Sequence, residues 1–188
     1  MQADSVEELF RRTGAMLEGH FLLSSGLHSP IYWEKFRILQ HPELTQELCQ
    51  LIADRFRGEG VGAVAGPALG GAVLAYEVAR LLEVKAVYAE RGEEGRAFRR
   101  GQTISPGEKV LIVDDVLTTG GSLREMLEAV REAGGRVVGI GVVVDRSGGV
   151  DFGVPFFRCY RASAPTYRPE ECPICRQGIP LQRLGSMR

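Results

Sequence analysis

Apolar positions along the chain alternate between two spacings. The stretches 61–65, 85–89, 110–113 and 136–144 are short and nearly unbroken apolar runs, the pattern of parallel strands covered on both faces. Between and before them the spacing changes to that of helices. Leu44, Leu48, Leu51 and Ile52 mark a helix over 42–57, Val73, Leu74, Val78 and Leu81 mark a second, and Leu123, Met126, Leu127 and Val130 mark a third that Gly134-Gly135 stops. Upstream, Val6, Leu9, Phe10, Ala15 and Leu17 predict a helix ending near Gly19, followed by strand-like pieces at 21–23 and 31–33. Residues 90–107 read as a polar loop. Alternating β and α segments with short connections predict an α/β fold whose mostly parallel sheet is flanked by helices and joined by right-handed crossovers.

Composition narrows the class. The 188 residues, 44% of them hydrophobic, suit a single domain over 1–188 with a real core. A net charge of −1 gives no overall basic footprint, so neither nucleic acid nor an anionic membrane is an expected partner. No apolar run approaches a membrane span, and the first residues lack a signal-like basic and apolar segment. A cytoplasmic protein is expected. Neither a repeat period nor a low-complexity tract is visible.

The chemistry concentrates in Leu111-Ile-Val-Asp-Asp-Val-Leu-Thr-Thr-Gly-Gly-Ser122. Here a buried strand delivers Asp114 and Asp115 to its carboxyl end, where open α/β sheets bind ligands. Thr118, Thr119, Gly120, Gly121 and Ser122 follow, offering hydroxyls and approachable backbone N–H groups at the start of a helix, which is an anion site. Acidic pair and anion loop together suit a ligand with both hydroxyls and a phosphate. A second loop, Gly66-Pro-Ala-Leu-Gly-Gly71, ends the preceding strand and is a second anion-site candidate. Arg91, Arg96, Arg99 and Arg100 form the densest positive cluster, interrupted by Glu93 and Glu94.

The acidic pair with its Thr-Thr-Gly-Gly-Ser loop resembles the 5-phosphoribosyl-1-diphosphate (PRPP) signature of the type I phosphoribosyltransferases. The resemblance implies a parallel-sheet core, here about 41–149, under a hood built from about 1–40 and 150–188. It implies that the run Asp114, Asp115, Val116, Leu117, Thr118, Thr119, Gly120, Gly121 and Ser122 binds PRPP, the loop holding the 5-phosphate and the carboxylates the ribose hydroxyls. Backbone groups around Ala68, Leu69 and Gly70 would face pyrophosphate. Mg2+ would be held mainly through PRPP and water. Phe21-Leu-Leu-Ser-Ser-Gly-Leu-His-Ser-Pro-Ile-Tyr32 and Val144-Asp-Arg146 narrow the likeness to the orotate phosphoribosyltransferases. That family joins orotate N1 to the ribose, releasing orotidine 5′-monophosphate and pyrophosphate in pyrimidine (UMP) biosynthesis.

Several assignments follow from that likeness. Arg146 and Thr118 would contact orotate, and a guanidinium fork suits its carboxylate. Arg91 would act in catalysis, with Arg96, Arg99 and Arg100 as candidates on a mobile loop that crosses to the partner of a homodimer. Many relatives carry Lys where this chain has Ser24, so no lysine contact is carried over there. A phosphoribosyltransferase for xanthine or uracil and a PRPP-sensing regulator are the alternatives. The latter would be expected to show a DNA-binding module or a basic face.

Four cysteines complete the inventory. Cys49 falls in a helical pattern and reads as a small core residue. Cys172-Pro-Ile-Cys175 has the spacing of half a zinc site, with Cys159 a third ligand candidate for a structural metal. His20 and His28 read as packing or hydrogen-bonding residues of the hood.

Overall fold

A computed structural model describes residues 3–23, 25–67, 69–93, 95–162 and 164–184. Its elements run α1 (Ala3–Arg12), β1 (Met16–Leu22), β2 (His28–Trp33), α2 (Phe36–Leu39), α3 (Pro42–Phe56), β3 (Ala63–Pro67), α4 (Gly70–Leu82), β4 (Lys85–Gly92), β5 (Gly95–Phe98), β6 (Lys109–Leu117), α5 (Gly121–Glu132), β7 (Arg136–Asp145), β8 (Phe156–Arg161), α6 (Pro173–Arg176) and β9 (Gln182–Arg183).

Six strands form the main sheet in the order β5-β4-β3-β6-β7-β8. All neighbours are parallel except β4 and β5, which pair antiparallel. Strand β6 lies in the interior, and its alternate side chains feed two cores. Leu111 and Val113 pack into the core that α1, α3 and α4 share with Trp33 and Ile38. Val110 and Ile112 pack with Leu123, Met126 and Val130 of α5. This double coverage explains the unbroken apolar reading of the strand. Pro42 opens α3, where a missing N–H costs no helical bond.

The hood is a second sheet of order β2-β1-β9. β1 and β2 pair antiparallel, and β9 adds to β1 in parallel through Phe21↔Gln182 and Leu22↔Arg183.

The structure departs from the sequence expectation at four places. The first helix stops at Arg12 rather than near Gly19, because the Thr13 hydroxyl donates to the Leu9 carbonyl at 2.8 Å and the chain then turns into β1. The stretch 90–107 is not all loop: β4 continues to Gly92 and folds back as β5. Val73 is exposed, and the buried face of α4 is instead Leu74, Ala75, Val78 and Ala79. Finally, residues 156–161, expected in the hood, are β8 and extend the core sheet beside β7.

Candidate active site

The acidic pair lies within β6, ahead of the strand's end: Asp114 pairs with Val142, and the ladder runs on to Leu117↔Asp145. Consecutive strand residues face opposite sides, so the two carboxylates serve different neighbourhoods. Asp114 lines a concavity with Val116, Leu117, Thr118, Thr119, Gly120, Gly121 and Ser122. Asp115 instead faces the hood and the start of α4. Its Oδ2 lies 2.6 Å from Lys35 Nζ, and a Cβ on Gly70 would run into the same oxygen. Only glycine permits that approach.

Both carboxylates are buried, 7% and 6% exposed. Burial pushes the Asp114 carboxyl up to about 7; the Asp115 charge adds to the rise, while the Asp115 backbone N–H, Lys35 and Arg96 oppose it. A carboxyl so placed gains from any ligand that supplies hydroxyl donors or positive charge.

The loop after β6 is shaped by Gly120, whose φ of 82° lies in the left-handed region and which precedes the first turn of α5. Its Cα packs so that a Cβ would press on Phe152 and Val150. Thr118 and Thr119 are exposed beside it, and the free N–H groups of the α5 first turn complete an anion cradle. Of the second loop, Leu69 is exposed and Gly70 opens α4, while Ala68 lies outside the described residues.

Arg146 follows β7 and donates its backbone N–H to the Leu117 carbonyl at 2.8 Å, which sets it beside Thr118. Its guanidinium stacks over the Trp33 ring at 4.6 Å from the centroid, and burial lowers its pKa from the usual arginine value. Asp145 does not hold it. That carboxylate accepts from the Ser147 N–H and hydroxyl and faces Arg158 at 3.6 Å. Among the described residues the Arg146 guanidinium has no carboxylate within ion-pair distance.

The four arginines of the hairpin are distributed unevenly. Arg91 and Arg96 both reach Glu125 of α5, at 2.6 and 3.1 Å, and Arg96 also donates to Ser122 Oγ at 3.2 Å. Arg100 pairs with Glu90 at 2.6 Å, and Arg99 lies against Gly92. Arg96 is therefore the one that touches the anion loop, within its own chain. Glu94 and Ser24 lie outside the described residues.

Two residues of this site escaped the sequence reading: Lys35 and Trp33. Both sit at or just after the end of β2, amid Tyr32-Trp-Glu-Lys35, where nothing local marks a residue that meets a strand eighty positions away. The cysteine reading needs correction. Cys159 belongs to the large core and donates to the Leu48 carbonyl at 3.5 Å, because it rides on β8 in the main sheet, away from the tail. Cys172 and Cys175 are grouped with His20 and His28 instead.

Comparison with known proteins gives a consistent set of likenesses. The Phosphoribosyl transferase domain family matches residues 36–152. A protein of Pelotomaculum thermopropionicum named orotate phosphoribosyltransferase is 51% identical over 187 residues, covering 99% of this chain and 98% of that protein. A Thermotoga maritima protein of the same name is 46% identical over 182 residues, covering 96% and 97%. Among solved structures, orotate phosphoribosyltransferase from Aeropyrum pernix superposes with a TM-score of 0.74 at 28% identity, over 83% of this chain and 93% of that one.

Proposed function

This chain belongs to the orotate phosphoribosyltransferase family, and from that premise we propose that it transfers the 5-phosphoribosyl group of PRPP to N1 of orotate, giving orotidine 5′-monophosphate and pyrophosphate. The observation that carries the orotate reading is the placement of Arg146. It is a half-buried guanidinium, stacked on Trp33 and set beside Thr118 at the end of the strand next to the acidic pair. Orotate carries a carboxylate that uracil, xanthine and adenine lack, and a guanidinium without an acidic neighbour takes it bidentately.

In this reading the loop Thr118–Ser122 accepts the 5-phosphate, and Asp114 and Asp115 accept the ribose hydroxyls. As the bond from C1 to pyrophosphate breaks, the N1–C1 bond forms and the N1 proton passes to water or to the departing pyrophosphate. Positive charge grows on the ribose and negative charge on the leaving group, so the protein acts by orientation and by stabilising that charge. The stretch of sequence that leads into α4, Ala68, Leu69 and Gly70, is assigned to pyrophosphate.

The site fits Mg2+, a hard ion that keeps several waters and asks few ligands of a protein: PRPP and water would hold it in the main, and the buried Asp114 carboxylate, which lines the anion-loop concavity, is the chain's own oxygen group there. When bound, it would supply positive charge to the pyrophosphate oxygens.

Arg91 and Arg96 are assigned to the leaving group once they release Glu125. The enzyme is proposed to work as a homodimer in which this hairpin serves the partner's site, and to be cytoplasmic.

The test is PRPP-dependent loss of orotate ultraviolet absorbance with Mg2+, run beside uracil, xanthine, hypoxanthine and adenine. Consumption of orotate alone supports the reading. Turnover of a different base would overturn the role of Arg146, and silence with every base would favour a PRPP-binding regulator.

A further inference from the structure

The geometry points to a closed structural Zn2+ site, formed by His20, His28, Cys172 and Cys175, that fastens the carboxy-terminal tail to the hood. The four side chains come from three elements: His20 from β1, His28 from the start of β2, and the cysteines from the short turn of α6 and the residue before it. One ligand atom from each lies within 4.8 Å of all the others.

The separations suit a tetrahedral ion. Zn–S bonds of about 2.3 Å and Zn–N bonds of about 2.05 Å at tetrahedral angles put N and S roughly 3.5 Å apart and two N roughly 3.3 Å apart. Here His20 Nε2 lies 3.5 Å from Cys172 Sγ and 3.6 Å from Cys175 Sγ, and His28 Nδ1 lies 3.3 Å from Cys175 Sγ. The two nitrogens are 3.0 Å apart, so the rings need only a small separation to admit the ion.

A supporting contact fixes which nitrogen is offered. His20 Nδ1 lies 2.7 Å from the Ile179 carbonyl. The proton must sit on Nδ1 to make that bond, which leaves the Nε2 lone pair facing the other three ligands. The charge also balances: two thiolates and two neutral imidazoles neutralise Zn2+, which suits a place where His20, His28 and Cys172 are 1%, 5% and 1% exposed. Two sulfur and two imidazole ligands in a tetrahedron select zinc over Mg2+ or Ca2+. Four protein ligands leave no open position, so the role is structural.

The fold gives the site something to hold. Among the described residues, strand β9 has two residues and pairs with β1 at two positions, and the tail meets β2 through the bridge His28↔Tyr167. So small an attachment is marginal by itself, and a metal that binds only the assembled ligands adds its binding energy to the assembly.

Zinc content of the purified full-length protein, measured by elemental analysis, tests this. The expected result is about one Zn2+ per chain, retained in Cys159→Ser and reduced at least tenfold in Cys175→Ser. Wild-type protein stripped of metal and refilled with Co2+ gives a second reading that needs no variant to fold: thiolate-to-Co(II) charge-transfer and tetrahedral d–d bands should appear and be displaced by Zn2+. The proposal is overturned if stripped wild-type protein takes up neither ion, or if folded Cys175→Ser keeps full zinc.

Discussion

Asp114 carries a tension between folding and function. Its folded-state pKa is raised to about 7, above the roughly 3.9 of an unfolded chain. Between those values the folded state holds a proton that the unfolded state releases, so stability falls as pH rises from about 4 to about 7. Asp114→Asn removes that dependence. Thermal denaturation should show the variant gaining roughly 1–3 kcal/mol on wild type at pH 7.5 and little at pH 4.5, while PRPP turnover drops by about a hundredfold or more. Equal pH dependence in both proteins would refute the assignment. Arg146→Ala should raise the orotate KM and lower kcat/KM by roughly 10²-fold or more, with PRPP binding nearly unchanged, in steady-state assays varying each substrate. At this scale the acidic pair, the Thr-Thr-Gly-Gly-Ser loop and Arg146 were legible because each is contiguous or stands at a strand end. Lys35 was not, since its partner Asp115 is met only through the fold.

Among the elements, β6 and α5 were readable because burial on both faces makes β6 an unbroken apolar run and burial of one face gives α5 a helical period. Strand β5 and the end of β4 were not. Their sequence, Glu90 to Phe98, is charged and glycine-rich, and its pairing rests on backbone bonds and on Arg91 and Arg96 reaching Glu125. Strand β8 escaped notice for a related reason: an edge strand bearing Arg158 and Arg161 shows only a partial apolar pattern. The start of α4 is the element most sensitive to a small change. Gly70→Ala should force the methyl group into Asp115, costing about 1–3 kcal/mol of stability and at least tenfold in kcat/KM. Chemical denaturation and turnover measured on the same preparation decide it; wild-type values for both would show that the helix shifts freely.

For the whole molecule, the hairpin raises a question of ownership. Arg96 touches Ser122 of its own chain, whereas the proposed dimer lends the hairpin to its partner. Mixing an Asp114→Ala protein with an Arg91→Ala/Arg96→Ala protein distinguishes the two arrangements. If subunits exchange and the hairpin is shared, random pairing restores about a quarter of wild-type activity; if each hairpin serves its own chain, the mixture stays as inactive as its parts. The hood carries a further consequence, one of timing. Strand β1 leaves the ribosome long before its neighbour β9, a separation of about 160 residues spanned by contacts such as His20 to Ile179. At roughly 5–20 residues per second, the nascent chain waits on the order of ten seconds or more with one edge of β1 uncovered. The core sheet can close through β8 in that interval, so a strand made early is completed by a segment made long after it.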